Sequence, residues 1–373
     1  MPHPHFAAAG TPEQPAAKTA TAGGKFAYAD VLRTLAALAV VMIHISGQGV
    51  VHTELVSDFS HWVAIFWDAA SRWSVPVFVM VSGALLLDPS KNETLGEFYR
   101  KRVSRIGIPL VFWSVAYLLW RRYYVPEPDL TFPKMARQIF YGIPSFHFYF
   151  LFLVMGLYLF TPLFRVFVRH ATVTERWTMA LCALLLTALS QQLRIMIGGW
   201  VQFTAFDYFV PYVGFFLAGH AIAHTRIPES WNRFSRLLAW ILFPASVLVS
   251  TVGVGIAQNP QELNSAIESF YQYTYPTTMI MSLSFFIIVF SLYQHPGPLR
   301  RRIASVCAWI GPAAFGIYII HPILLWEIFK RHGMPVYPNT LISCPAWTLA
   351  LFVACLLITK VIQLVPGIRR IVG

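Results

Sequence analysis

The sequence predicts an all-α, polytopic integral membrane protein with about ten transmembrane helices and both termini in the cytoplasm. Three observations carry that prediction: a strongly apolar composition, apolar runs of membrane-spanning length, and a one-sided distribution of basic residues. Of 373 residues, 57% are hydrophobic and only 12% charged, with a mean hydropathy of +0.58. Soluble domains carry about 25% charged residues. The chain length therefore does not imply two soluble domains.

The apolar residues fall in runs close to the ~20 residues that cross a bilayer core. Ten spans follow: 30–50, 62–87, 104–122, 145–168, 177–194, 206–224, 236–257, 275–293, 306–329 and 343–366. Helices are the expected form, because hydrocarbon offers backbone groups no partner outside their own segment. A membrane barrel needs short strands of alternating polarity, and runs such as Leu349–Leu357 and Ile280–Phe290 do not alternate.

A net charge of +12 would suit a nucleic-acid partner, but the positions of the charges exclude one. With a cytoplasmic N-terminus, eighteen lysines and arginines fall in inside segments and seven in outside segments. Arg33, Arg72 and Lys360 lie within spans and complete the 28. This is the positive-inside pattern of a membrane protein. The 121–144 segment, with four basic residues outside, fits the pattern least well and reads as an amphipathic surface or re-entrant segment.

The first 26 residues, rich in Ala, Pro, Thr and Gly, read as a disordered cytoplasmic tail without a signal-peptide core. Residues 27–373 form one membrane domain. Cys182, Cys307, Cys344 and Cys355 are scattered and lack metal-ligand spacing, so they read as small packing residues, and no metal is expected.

Ionisable groups inside membrane helices are costly and mark cavities or pathways. In the first span Arg33 and His44 are eleven residues apart. Helical geometry puts them on one face, about 16 Å apart along the axis, with Arg33 at the cytoplasmic end. Asp30 is fourteen residues before His44, too far to orient it, and is better placed to pair with Arg33 or a neighbouring helix. In the second span Asp68 and Arg72 are helical neighbours and a candidate ion pair. Pro76 invites a kink there, and Gly83 permits close helix approach. Four cations, Arg100, Lys101, Arg102 and Arg105, crowd the start of the third span. Taken alone they read first as topology determinants or as attraction to anionic lipid headgroups, and second as an anion site, since guanidinium groups suit phosphates. His147, Tyr318 and His321 are further polar groups at membrane depth, open to either an acceptor-binding or a structural role.

These residues resemble the signature of the membrane acyltransferase-3 family. Arg-x10-His is met by Arg33 and His44, and Arg-x-x-Arg by Arg102 and Arg105. Supporting matches are Ala70-Ser-Arg72-x-Ser-Val-Pro76-x-Phe-x-Met80-x-Ser82-Gly83 and Gly316-Ile-Tyr318-x-Ile-His321-Pro322. Around His147 the sequence reads His-Phe-Tyr-Phe-Leu where the family has His-Leu-Trp-Tyr-Leu. The resemblance runs from about residue 28 to 366, and is similar in form to the O-acetyltransferases of enterobacterial common antigen and of exopolysaccharides.

The resemblance implies a multi-pass enzyme of the bacterial inner membrane that moves an acyl group, acetyl by preference, from cytoplasmic acyl-CoA to a hydroxyl of a surface glycan or lipid-linked sugar. Its expected partners are acyl-CoA, that acceptor and membrane lipids; acetyl-CoA is a substrate, with no cofactor permanently bound. Arg102, Arg105 and Arg33 would hold the CoA phosphates. His44 would act as general base, or be transiently acylated, and Arg72 would stabilise the oxyanion. The competing reading from another class is a proton-coupled transporter of a small organic anion that uses His44, Asp68 and Arg72 as a relay.

Overall fold

The computed structural model describes residues 26–52, 57–125, 129–197, 203–225, 228–332 and 339–373; the tail expected over 1–26 lies outside them but for Phe26. Among the described residues the chain is helical, with no strand. Eight helical segments among the described residues are long and apolar enough to cross a membrane, so the protein is an all-α polytopic membrane protein.

At the centre is α1 (Ala27–Val51). Around it pack α2 (Asp58–Ala69) and α3 (Ser74–Leu86), which together make the second span. That span is interrupted at residues 70–73. Pro76 explains the position of the break: it has no N–H to bond backwards, and it is tolerated only in the first turn of the new helix. The interruption leaves Arg72 in the turn between two half-helices.

The third span is also irregular. Thr94 and Glu97 form a reciprocal cap at the start of α4 (Leu95–Arg102). A π-helical turn, Val103–Gly107, follows, and then α5 (Ile108–Tyr123). The Arg102/Arg105 pair spans the junction into this widened turn, a feature that recurs at functional sites. On the far side of the span, α6 (Phe132–Phe140) buries none of its residues, and Phe132 and Phe140 are exposed. The 121–144 segment thus carries a surface helix, as its composition suggests.

The remaining spans follow in order: α7 (Tyr149–His170), α8 (Val173–Ile197), α9 (Val213–His224) and α10 (Glu229–Gly255). A short surface helix, α11 (Pro260–Phe270), precedes α12 (Pro276–Gln294). Next come α13 (Pro298–Ile310), joined by the tight turn Gly311–Ala313 to α14 (Ala314–His332), and finally α15 (Thr340–Leu364).

Two predicted spans differ from the other eight. The helix covering 177–194, α8, is 25 residues long but is diluted by Gln191, Gln192 and Arg194. In the 206–224 span the helix α9 begins only at Val213, because Asp207 accepts from the Thr204 backbone N–H (2.7 Å) and holds a turn before Pro211. Short as it is, α9 is buried, and it crosses α3 through paired glycines. A Cβ on Gly83 would collide with the Phe216 carbonyl, and one on Gly219 with the Met80 carbonyl.

Three of the four cysteines (Cys307, Cys344 and Cys355) are buried packing residues, whereas Cys182 is exposed. Beyond α15 the chain turns back under the bundle. Its last turn, Ile368–Val372, is anchored by buried Val372 and by Trp113, whose Nε1 donates to the Ile371 carbonyl (2.7 Å).

Candidate active site

Two cavities lie along α1, and the two ends of its polar face open into different ones. Arg33 lines a cavity of about 350 Å³ together with Lys91, Arg102 and Arg105. His44 lines a second, of about 280 Å³, together with Asp68, Arg72, His147, Tyr149 and Tyr273. Tyr318 lines both. The eleven-residue spacing that puts Arg33 and His44 on one face of α1 thus places them in adjoining chambers.

The first chamber is basic. Among the described residues no acidic side chain lines it, and Arg33 pairs loosely with Asp30 (3.5 Å), one of the two partners that sequence spacing allows. The Arg102 Nε is buried without a hydrogen-bond partner. Its rim is held by Arg165 of α7, whose Nε donates to the Leu86 carbonyl (2.8 Å) and whose Nη2 donates to Glu93 (3.0 Å). Arg169 donates to the Lys91 carbonyl (2.9 Å). Burial, followed by the nearby Arg102 and Arg165 charges, holds the Lys91 ammonium below the usual lysine range. A pocket with surplus fixed positive charge and an orphaned donor is suited to an anion from outside the chain.

The second chamber is polar without surplus charge. Arg72 Nε donates to Asp68 Oδ1 (2.5 Å), Nη2 meets the same carboxylate, and Nη1 donates to the Tyr271 carbonyl (3.5 Å). The guanidinium also lies over the Tyr271 ring, 4.3 Å from its centroid, and engages the Tyr273 hydroxyl. Each guanidinium nitrogen already faces a partner, so an oxyanion contact from Arg72 would have to use the second hydrogen of Nη1 or Nη2.

The histidines gather around this chamber. His44 stacks on His321 (ring centroids 5.1 Å apart, planes at 25°), and its ring meets Phe146 edge-on (5.0 Å). His321 is 6.0 Å from His147, centroid to centroid. The His321 Nδ1 is 3.2 Å from the Ile317 carbonyl. A carbonyl can only accept, which assigns the proton to Nδ1 and leaves Nε2 as a lone pair; that atom is buried without a partner. Neither ring nitrogen of His147 has a partner, while its carbonyl accepts from the Tyr318 hydroxyl (2.5 Å). Tyr318 is thereby fixed at the boundary between the chambers.

The residues expected to catalyse or to bind donor or acceptor therefore line one of the two chambers or contact a residue that does. Asp30 pairs with Arg33 and packs beside Gly311, and His321 stacks on His44 without lining the cavity. Tyr149, Tyr271, Tyr273, Phe146 and Lys91 are additions. The signal for two of them is present in the run Phe270-Tyr-Gln-Tyr-Thr-Tyr-Pro276, although aromatic residues at a span end read first as an interfacial belt.

The acyltransferase domain family model matches residues 26–362, so the chain belongs to the membrane acyltransferase-3 family. It is an acyltransferase and a multi-pass membrane protein. It is also similar to YfiQ of Bacillus subtilis (strain 168), itself described provisionally as a membrane-bound acyltransferase, with 23% identity over 314 residues and 78% of each chain covered. No solved structure matches the chain.

Proposed function

We propose that this acyltransferase is an O-acyltransferase of the bacterial inner membrane that carries an acyl group, acetyl in the simplest case, from cytoplasmic acyl-CoA to a hydroxyl of a surface glycan or lipid-linked sugar. The observation that carries this reading is the single wall, Tyr318, between a cation-lined chamber and a histidine-lined one. A donor with anionic phosphates at one end and a thioester at the other suits that pairing. Arg33, Arg102 and Arg105 receive the phosphates from the basic, cytoplasmic end, and the pantetheine arm leads past Tyr318 towards His44.

In this scheme His44 removes the proton of the acceptor hydroxyl as its oxygen attacks the thioester carbonyl. The new C–O bond forms, and the tetrahedral intermediate collapses by breaking the C–S bond. The CoA thiolate leaves and takes back the proton held by His44. The stack with His321, which lies behind His44 and outside the cavity lining, holds the imidazole in place. The buried Asp68–Arg72 pair supplies a fixed dipole beside the reacting carbon.

The test is acetyl-CoA turnover in proteoliposomes. His44→Ala should lower turnover about 100- to 10,000-fold, the range for loss of a positioned general base, while acyl-CoA binding and the thermal midpoint stay near those of the parent. Full acyl transfer by a well-folded His44→Ala protein would remove His44 from the mechanism. Mass spectrometry of surface glycans from a deletion strain should show the loss of an acyl mass, which identifies the acceptor.

A further inference from the structure

A third cavity, of about 740 Å³, adjoins the basic chamber on its open side, and Arg100, Lys101, Arg102, Arg105 and Arg370 line it. Among the described residues only Arg102 and Arg105 line both this cavity and the inner basic chamber, so the wall between them is a pair of arginines. Among the described residues no acidic side chain lines the outer cavity. Lys101 is neutralised from its edge by Glu93 (3.0 Å), whereas Arg100 and Arg370 have no carboxylate partner among the described residues.

Arg370 is brought there by tertiary structure, far in sequence from the other four. It lies on the Ile368–Val372 turn, which buried Val372 and the Trp113–Ile371 hydrogen bond fasten against α5. The surplus charge is therefore arranged in two groups: Arg33 and Lys91 on the inner side, Arg100 and Arg370 on the outer side, with Arg102 and Arg105 between. A ligand with one phosphate group would use only part of this arrangement. A nucleotide with a pyrophosphate and a separate phosphomonoester would use all of it.

We infer that the outer cavity is a phosphomonoester subsite, and that Arg100 and Arg370 take the 3′-phosphate on the donor's adenosine while Arg102 and Arg105 take its pyrophosphate. The inference rests on the acyl-CoA reading above and deepens it. It gives the nucleotide a direction, with adenosine in the open cavity and the pantetheine arm entering the inner chamber. It also separates this enzyme's donor from nucleotides that lack a 3′-phosphate.

The experiment compares equilibrium binding of CoA and 3′-dephospho-CoA to the full chain in nanodiscs of zwitterionic lipid. The same pair is measured with Arg100→Gln/Arg370→Gln, and again for the parent in nanodiscs containing phosphatidylglycerol. CoA should bind about ten-fold tighter than 3′-dephospho-CoA, the order expected for charge-assisted contacts to one phosphate. In the double variant that ratio should fall to near one. The thermal midpoint should not move, because both side chains are exposed.

Equal affinities in the parent, or a ratio that persists in the double variant, would overturn the subsite and leave the donor reading intact. Failure of both nucleotides to bind would overturn the donor reading as well. Loss of the ratio in the parent once phosphatidylglycerol is present would assign the outer cavity to a lipid headgroup phosphate, and that too overturns the inference.

Discussion

In the basic chamber Arg33, Lys91, Arg102 and Arg105 face the cavity with no acidic side chain among them, whereas in the histidine chamber the two formal charges, Asp68 and Arg72, are bonded to each other. The difference separates two uses of polar residues at membrane depth. Unpaired cations raise the free energy of the empty protein and recover it when an anion arrives. A closed ion pair contributes to the fold and leaves imidazole nitrogens of His147 and His321 as polar atoms without a partner among the described residues. Removing a charge should therefore have opposite consequences in the two places.

The largest effect on folding is expected in the histidine chamber. Asp68→Ala leaves the Arg72 guanidinium, only 16% exposed, without its carboxylate. Loss of one partner of a buried pair costs about 3–5 kcal/mol, read as a clear fall in thermal midpoint in detergent. Asp68→Ala/Arg72→Met removes the orphaned charge and should recover much of that loss. A double variant no more stable than Asp68→Ala would mean that the pair is not what holds α2 and α3 to the Tyr271 segment.

The next largest effect belongs to the basic chamber and falls on binding instead. Arg102→Ala/Arg105→Ala should weaken acyl-CoA affinity about ten- to hundred-fold, as expected for two charge-assisted contacts. Its thermal midpoint should stay level or rise, because two like charges have been removed from one wall. A strong loss of stability with unchanged acyl-CoA affinity would reverse the contrast and return these arginines to a purely architectural role.

Much of this arrangement was legible in the sequence, for a physical reason. Helical periodicity is strict within one element, so the spacing of Arg33 and His44 already fixed their common face, and the four-residue spacing of Asp68 and Arg72 already paired them. Hydropathy located the spans because the bilayer constrains their length. Features that depend on packing between distant segments were not legible. The pairing of α3 with α9, the arrival of Arg370 beneath Arg102, and the contact of Tyr271 and Tyr273 with Arg72 all join positions far apart in the chain. The break at residues 70–73 and the π-helical turn at Val103–Gly107 were also hidden, since a hydropathy profile passes smoothly over a change in backbone geometry.

The smallest expected effect tests the boundary between the two kinds of charge. Glu93 is outside the membrane spans and stands at the rim of the basic chamber, where it accepts from Lys101 and Arg165 (3.0 Å each). Burial alone would raise its pKa, but the hydrogen bonds from Lys101 and Arg165 outweigh that and hold the carboxyl below the usual range. A carboxyl depressed on folding contributes stability above its unfolded pKa, about 4.3 for glutamate. That contribution is lost as pH falls through the lower folded value. At neutral pH Glu93→Gln should lower stability by no more than about 1 kcal/mol, because Lys101 is well exposed and solvent screens that half of the network. The gap between the midpoints of parent and variant should then close as pH is taken from about 5 down through the acid range. A gap that stays constant would mean that Glu93 acts through packing and not through its charge.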